Sequence, residues 1–400
     1  MELPLQGLRV LDLSRVLSGP FCTMNLGDLG AEVIKIEEPK KGDDTRAFGP
    51  PFVHGESTYF LSINRNKKSV AVDLKAPEGC ALIQRLARTC DVVVENFRPG
   101  VAARLGLDAT ALRRDHPRLI YCSISGFGHE GDPAYTSLPG YDAIVQGLSG
   151  LQHVTGQPEG PPTRIGVPIS DLLSGLTAFQ AILAALYTRE RTGEGAFLDI
   201  SMLDATAQVL TFHGASALNA ATTPRRLGNR HASISPYETF SGSDGVFFNL
   251  AVGNDAQFVA LCRLLAQTAW TSDPLFATNP ARVKNRDQLS PALQELFSKR
   301  PALVWVDLLE IEGIPAGKIA TVNEVVAHPQ LAARGKLLEF VHPTAGPLKA
   351  IGSPLPQASK TAAAPPLLGE HTHEVLGRIL GLAPAEIDGL VARGVLKSAR

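Results

Sequence analysis

Cysteine, charge of one sign and long unbroken apolar runs are all scarce in this 400-residue chain, and each scarcity removes a class of protein. Only five cysteines occur (Cys22, Cys80, Cys90, Cys122, Cys262), with no CxxC pair and no metal-ligand spacing. An odd, scattered set argues against a disulfide framework or a metal site and reads as reduced thiols, mostly packed in the core. Cys22 and Cys122 fall near candidate site loops, but core packing is the expected role of both. Thirty-eight basic residues against 39 acidic leave a net charge of −1, so no general electrostatic case exists for nucleic acid or a membrane surface. The start Met1-Glu-Leu-Pro-Leu-Gln-Gly has neither the basic opening nor the apolar run of a signal peptide, which predicts a cytoplasmic protein. The most apolar tract, residues 171–187, is interrupted by Ser174, Gly175, Thr177 and Gln180, and reads as a buried helix instead of a membrane span.

Named motifs are missing too. Without GxSxG, HExxH or a P-loop, serine hydrolase, zinc enzyme and NTPase have no motif behind them. The first strand–helix–strand unit invites a dinucleotide reading, since Glu37 ends its second strand where a ribose-binding acid would sit. Its turn lacks GxGxxG, so close approach of a pyrophosphate there is unsupported and no permanently bound cofactor is expected.

What is present points to an α/β protein. Hydrophobic residues make up 44% of the chain, enough for a sizeable core in two domains or one large domain with an excursion. Leu8-Arg-Val-Leu-Asp-Leu13 reads as a short buried strand, followed by a turn at Ser18-Gly19-Pro20 and a helix from Phe21 to Leu29. Ala31-Glu-Val-Ile-Lys-Ile-Glu37 is a second strand, Ser69 to Leu74 a third, then a helix from about 77 to 89 and the strand Asp91-Val-Val-Val-Glu95. Arg118-Leu-Ile-Tyr-Cys-Ser-Ile-Ser125 and 196–200 continue the alternation, which predicts a parallel sheet covered by helices. Ala220-Ala-Thr-Thr-Pro-Arg-Arg reads as a linker, residues 237–252 as a hairpin and residues 255–310 as mainly helical. The expected organisation is a large Rossmann-like domain from 1–220, a smaller α+β domain at 226–330, and 331–400 returning to complete the first.

Asp171 is the residue that most suggests chemistry. It stands in Gly166-Val-Pro-Ile-Ser-Asp-Leu-Leu-Ser-Gly175, where an apolar helix begins, next to backbone N–H groups that favour an anion or a developing oxyanion. On this stretch alone, Asp171 or Ser170 is equally an ordinary N-cap. Gly140-Tyr-Asp142 places a second carboxylate before another apolar helix. Asp142 is either a cap or a neighbour able to raise the pKa of Asp171. Lys75, Arg98 and Arg104 lie on loops after strand ends, where an α/β sheet builds its ligand crevice, and could hold phosphates. Asn64-Arg-Asn-Lys-Lys-Ser69 is a second basic turn. His231 beside the linker reads as structural.

Taken in order, these pieces resemble the class III CoA transferases, the CaiB–BaiF or formyl-CoA transferase-like family. The matching runs include Leu8 to Pro20, Leu29-Gly-Ala-Glu-Val-Ile-Lys-Ile-Glu37, Gly42-Asp-Asp-Thr-Arg46, Asn64 to Ser69, Val93-Val-Glu-Asn-Phe-Arg-Pro-Gly100, Gly140-Tyr-Asp142, Arg226-Leu-Gly-Asn, His231 to Tyr237 and Pro365-Pro-Leu-Leu-Gly-Glu-His371. The resemblance implies a nucleophile at Asp171, with Asp142 beside it. It implies coenzyme A contacts at Leu17, Ser18, Val72, Leu74, Lys75, Asn96, Phe97, Arg98, Arg104, Pro139, Gly140 and Tyr141. Glu38 departs from a related enzyme's arginine. The implied reaction moves CoA, a substrate carrier, from an acyl-CoA donor to a carboxylic acid through an aspartyl anhydride and an aspartyl-CoA thioester. Runs in Met24 to Lys35 and Glu56 to Lys68 suggest a dicarboxylate branch, with succinyl-CoA as donor and glutarate or 3-hydroxy-3-methylglutarate as acceptor. Arg164, with Arg46 as runner-up, is the candidate partner for the distal carboxylate. The oxalate-type transferases close a glycine loop over the aspartate, and only Gly253-Asn254 stands there. The racemase branch has a histidine where this chain has Tyr141, which removes one of two bases. The resemblance also implies two chains interlinked as rings in a homodimer.

Overall fold

The computed structural model describes residues 2–399. Short apolar runs of the amino-terminal half become six strands: β1 (Arg9–Asp12), β2 (Glu32–Glu37), β3 (Lys67–Val72), β4 (Val92–Glu95), β5 (Ile120–Ser125) and β6 (Phe197–Ser201). They lie in the order β3-β2-β1-β4-β5-β6, every neighbouring pair parallel. The terminal strand Leu396–Lys397 adds to the outer edge of β3 in the antiparallel sense, which makes the seven-stranded sheet mixed but mostly parallel. The strand order reverses direction at β1, between β2 and β4. Loops leaving the carboxyl ends of such strands enclose a crevice.

Residues alternate between the two faces of this sheet, and both faces are covered. Leu11, Ile34, Val70, Val93 and Tyr121 face one core, which is closed by helix α2 (Pro77–Ala87) and by helices Thr372–Leu380 and Pro384–Ala392. Val10, Val33, Val92, Val94 and Ile124 face the other, beneath helix α1 (Ser18–Asp28) and the long helix Ile169–Thr192. Between these, the short helix α3 (Asp142–Leu148) precedes the long helix, here α4, in the chain. Although α4 is long and apolar, it packs on α1, β5 and β6 and buries Ser174, Gly175, Ala178, Phe179 and Ile182. A glycine at 175 is required by that packing, because a Cβ there would lie 2.5 Å from Ser18 O.

This first compact unit comprises residues 1–151, 165–215 and 329–400. The second comprises 216–328 together with 152–164. It holds a three-stranded antiparallel sheet of Tyr237–Ser241, Phe247–Ala251 and Ala316–Lys318, with helices Asp255–Leu264, Arg286–Phe297 and Ala302–Ile311 around Phe240, Phe248, Phe297 and Trp305. The fully buried Arg282 is satisfied by Ser235 O, Phe276 O and Asp255, and stacks on Phe258 at 4.2 Å.

Some sequence expectations shift. Helix α1 starts at Ser18, three residues early, because proline is tolerated in a first helical turn. Strand β3 starts at Lys67, because the buried Asp12 carboxylate and the Pro20 carbonyl accept its lysine. An additional hairpin, Leu337–His342 with Gly346–Ile351, forms in the segment expected only to return the chain to the first domain.

Candidate active site

A cavity of about 620 Å³ opens at the carboxyl ends of the strands, entirely within the first unit. Its walls are the chain after β1 (Leu13, Arg15, Val16, Ser18), after β3 (Asp73, Leu74, Lys75), after β4 (Asn96 to Pro99, Val101, Arg104), and at the end of β5 and just beyond it (Ser125, Gly126). Pro139 to Asp142 close it, and Asp171 and Met202 lie in the same lining. Of the residues named from the sequence, Ser18, Val72, Leu74, Lys75, Asn96, Phe97, Arg98, Arg104, Pro139, Gly140, Tyr141, Asp142 and Asp171 all line this one space. Gly140 has a backbone reason to be glycine: a Cβ there would lie 2.2 Å from the Cα of Gly126, so the loop meets the end of β5 without side chains.

Asp171 is the third residue of α4 and is half-buried. It is not the helix cap: Pro168 occupies that position, without a capping side chain. Asp142 supplies the missing acceptor from outside, taking the Ser170 N–H on Oδ1 at 2.9 Å. Gln146 Nε2 donates to Asp142 Oδ2 at 2.8 Å, and Gln146 Oε1 takes the Ile165 N–H at 2.9 Å. This network ties the start of α4 to α3. Among the described residues, no side chain or backbone donor is hydrogen-bonded to the Asp171 carboxylate.

Burial first, and the charge of Asp142 second, push the Asp171 carboxyl from 3.8 up to about 7. The helix dipole acts in the opposite sense but is worth only about 0.3–1 kcal/mol, so desolvation and like charge win. Tyr59, on the helix Thr58–Ile63, feels the same field: burial and the charges of Asp171, Asp142 and Asp43 raise its phenol to about 12. It therefore stays protonated at neutral pH. Sequence reading passed over Tyr59, whose only signal was its place in the Glu56 to Lys68 run.

The loop after β1 rests on buried ions. Lys67 Nζ donates to Asp12 Oδ2 at 3.1 Å and to Pro20 O at 2.8 Å, and Lys35 Nζ reaches Asp43 Oδ2 at 2.8 Å and Ser14 O at 3.0 Å. These bonds hold Val16 at φ +64°, an unfavourable conformation for a β-branched residue that persists only where the surroundings fix it. Asn96 clamps the same loop, donating to Arg15 O at 2.7 Å and accepting Arg15 N–H at 2.8 Å. The second basic turn thus has a structural role. Arg65 pairs with buried Asp28, Lys67 with Asp12, and Lys68 with Glu32 and Glu374.

Three named residues lie outside the lining. Leu17 is buried, and its neighbours Val16 and Ser18 face the cavity instead. Arg46 is engaged by Glu37 through two bonds of 2.7 and 2.8 Å, donates to Pro366 O and stacks on Phe60 at 3.6 Å. Glu37 needs that partner because it is buried, so Arg46 is a poor choice for binding substrate. Arg164 belongs to the second unit. Arg15, not singled out from the sequence, lines the cavity, and its nearest carboxylate, Asp44, is 4.0 Å away. Lys75, Arg98 and Arg104 are solvent-exposed cations on the wall. Glu38 takes the N–H groups of Lys40 and Lys41 within its own turn.

Comparison with known proteins gives one answer. The family described as CoA-transferase family III matches residues 5–372. The chain is 44% identical over 398 residues to succinyl-CoA:glutarate CoA-transferase of Mus musculus, covering 98% of this chain and 90% of that one. It is 45% identical over 338 residues to acetyl-CoA:oxalate CoA-transferase of Acetobacter aceti, covering 84% and 86%. A crystal structure of a CAIB/BAIF family protein from Brucella suis superposes with a TM-score of 0.84 at 40% identity, over 95% of this chain and 100% of that one.

Proposed function

Given that this chain belongs to CoA-transferase family III and is an enzyme of that kind, we propose that it transfers CoA from succinyl-CoA to a dicarboxylate, glutarate foremost. The observation that carries the reading is the unengaged, half-buried carboxylate of Asp171 in a cavity whose rim bears Lys75, Arg98 and Arg104.

Asp171 attacks the thioester carbonyl, the C–S bond breaks, and an aspartyl–succinyl anhydride and CoA thiolate form. The thiolate attacks the aspartyl carbonyl, releasing succinate and leaving an aspartyl-CoA thioester. The acceptor carboxylate then attacks that thioester, displaces the thiolate and forms a second anhydride. Thiolate capture of the acceptor acyl carbon yields the new acyl-CoA and regenerates the Asp171 carboxylate. The exposed cations hold the CoA phosphates, which keeps the thiolate close during both steps in which it is free. Tyr59, whose phenol stays protonated, lies within electrostatic reach of the reacting carboxylate. We assign the acceptor's distal carboxylate to Arg15, in place of Arg46 or Arg164, because it lines the cavity with Asp171.

A homodimer forms part of this reading, supported by the apolar face that α3 leaves exposed at Ile144 and Leu148. A cytoplasmic setting is supported by five unpaired thiols.

The decisive experiment incubates the enzyme with succinyl-CoA and separate acids: glutarate, 3-hydroxy-3-methylglutarate, itaconate and oxalate. Glutaryl-CoA is the expected product by mass. A second reading, oxalate as acceptor, is favoured by the 45% identity to the oxalate enzyme, and dominant oxalyl-CoA would establish it. No new acyl-CoA with any acid would overturn both.

A further inference from the structure

A second cavity, of about 720 Å³, lies within the first unit and shares no lining residue with the first. The short helix Val101–Arg104 separates the two: Val101 and Arg104 face the first, Ala102 and Ala103 the second. The parallel register builds its floor. Glu95 on β4 stands opposite Ser123 on β5, and Tyr121, two residues earlier on β5, stands opposite Phe197 on β6. A two-residue period puts Tyr121 and Ser123 on one face of the sheet.

Three features of this floor call for a ligand. Tyr121 is 1% exposed and lines the cavity, yet its hydroxyl has no hydrogen-bond partner. A buried hydroxyl without a partner is uncommon in native structures and costs stability. Glu95 is buried and, among the described residues, forms no ion pair with a lysine or arginine, although the His129 imidazole lies close enough to act on it. Its Oε2 takes the Phe97 N–H at 2.7 Å, and Ser123, bonded to His129 Nε2 at 2.7 Å, faces it from the neighbouring strand. Finally, the walls combine negative charge with flat surfaces. Asp108 and Glu194 add carboxylates, whereas Arg113, the one cationic side chain besides His129, donates to the carbonyls of Leu119 and Gly195. Tyr121 and Phe197 pack at 6.1 Å between ring centres.

We propose that this cavity binds a small organic ammonium ion with an apolar or aromatic body. The ammonium sits against Glu95 and the Tyr121 hydroxyl, and the body rests on Phe197. A carboxylate faced by an aromatic ring is the arrangement that recognises organic cations. A carboxylic acid of the same size would meet Glu95 with like charge.

The test uses the full-length protein and three probes of one shape: benzylammonium, benzyl alcohol and benzoate, followed by calorimetry and by protein-observed NMR. Benzylammonium is expected to bind saturably, and at least about tenfold more tightly than either of the others, as expected when a charged hydrogen bond is made or lost. Glu95→Gln should weaken it by a similar factor. If that variant does not fold, Ala103→Trp, which fills the cavity from an exposed position, should abolish binding while leaving the melting temperature near the parent's. Binding should survive in Asp171→Ala, which separates this site from the reaction cavity. Equal affinity for the three probes, no binding of benzylammonium, or binding undiminished in Ala103→Trp would overturn the assignment.

Discussion

Asp142 Oδ1 receives the Ser170 N–H at 2.9 Å, so the carboxylate that opens one helix caps the helix carrying Asp171. A single acceptor thereby does two things. It satisfies a backbone donor that Pro168 leaves uncapped, and it places a negative charge next to the residue proposed to attack the thioester. Removing it should therefore change both the position and the acidity of Asp171.

The first consequence concerns the nucleophile itself. Asp171→Ala and Asp171→Asn should each lose at least about 10⁴-fold in turnover, because no later step can proceed without the covalent intermediates. Intact mass measured during turnover of the parent should show an added acyl or CoA group that hydroxylamine removes, and neither variant should show it. A variant that retains more than a few per cent of activity would place the chemistry elsewhere.

Acidity gives a second prediction. With its carboxyl raised to about 7, Asp171 is half-ionised near that pH and becomes predominantly the attacking anion above it. The kcat/KM for succinyl-CoA should rise with pH through about 7 and level off beyond it. Asp142→Asn keeps an acceptor for Ser170 N–H but removes the like charge, so the rising limb should move down by about one pH unit. It should not return to the ordinary carboxylate range, since burial is the larger cause. An unmoved limb in that variant would show that Asp171 is not the titrating group.

Stability should respond to the same group in the opposite sense. Because folding raises this carboxyl, the folded state favours its protonated form, and the destabilisation is absent below about pH 4. It develops as pH rises from 3.8 towards 7 and is complete above. Asp171→Asn should accordingly unfold at a higher denaturant concentration than the parent at pH 8, with the gap shrinking towards pH 4. A pH-independent difference would mean that the carboxyl is not raised in the folded state.

The strand positions, the parallel sheet and much of the cavity wall were legible in the sequence because they depend on local signals. Alternating apolar runs name strands, and loops after parallel strands meet in space whatever their separation in the chain. This is how Lys75, Arg98 and Arg104 could be placed together, whereas Pro139 joined them, and Asp171 became the nucleophile, only through the family resemblance. What was not legible depends on partners distant in sequence. Lys67 read as a basic turn residue because Asp12, 55 positions away, is what buries it. Arg46 read as free until Glu37 claimed it, and Arg15 went unnoticed because only the clamp by Asn96, 81 residues on, fixes its loop at the cavity. Asp171 itself could not be told from a helix cap until Asp142 was seen to do the capping.

The exposed cations should act on binding more than on chemistry. Lys75→Ala, Arg98→Ala and Arg104→Ala should each raise the KM for succinyl-CoA by about tenfold, with kcat changed much less, since a phosphate contact made equally in ground and transition states is lost. The increase should shrink at high salt, because exposed charges are screened. Dephospho-CoA thioesters should single out the residue that holds the 3′-phosphate, whose replacement should then have no further effect.

Acceptor choice separates the three arginines. If Arg15 reads the distal carboxylate, Arg15→Ala should lower kcat/KM for glutarate by about 10- to 100-fold, the value of one charged hydrogen-bonded pair. It should leave butyrate, which lacks that carboxylate, nearly unchanged, whereas the KM for succinyl-CoA should rise as well, because its own distal carboxylate takes the same place before Asp171. Arg46→Ala should behave differently. Removing it leaves Glu37 buried with its cation gone, so the expected loss is about 3 kcal/mol of folding stability, with glutarate and butyrate affected alike. An Arg15→Ala enzyme that keeps its preference for glutarate, alongside an Arg46→Ala or Arg164→Ala enzyme that folds normally and loses it, would return the role to the arginines that the sequence first suggested.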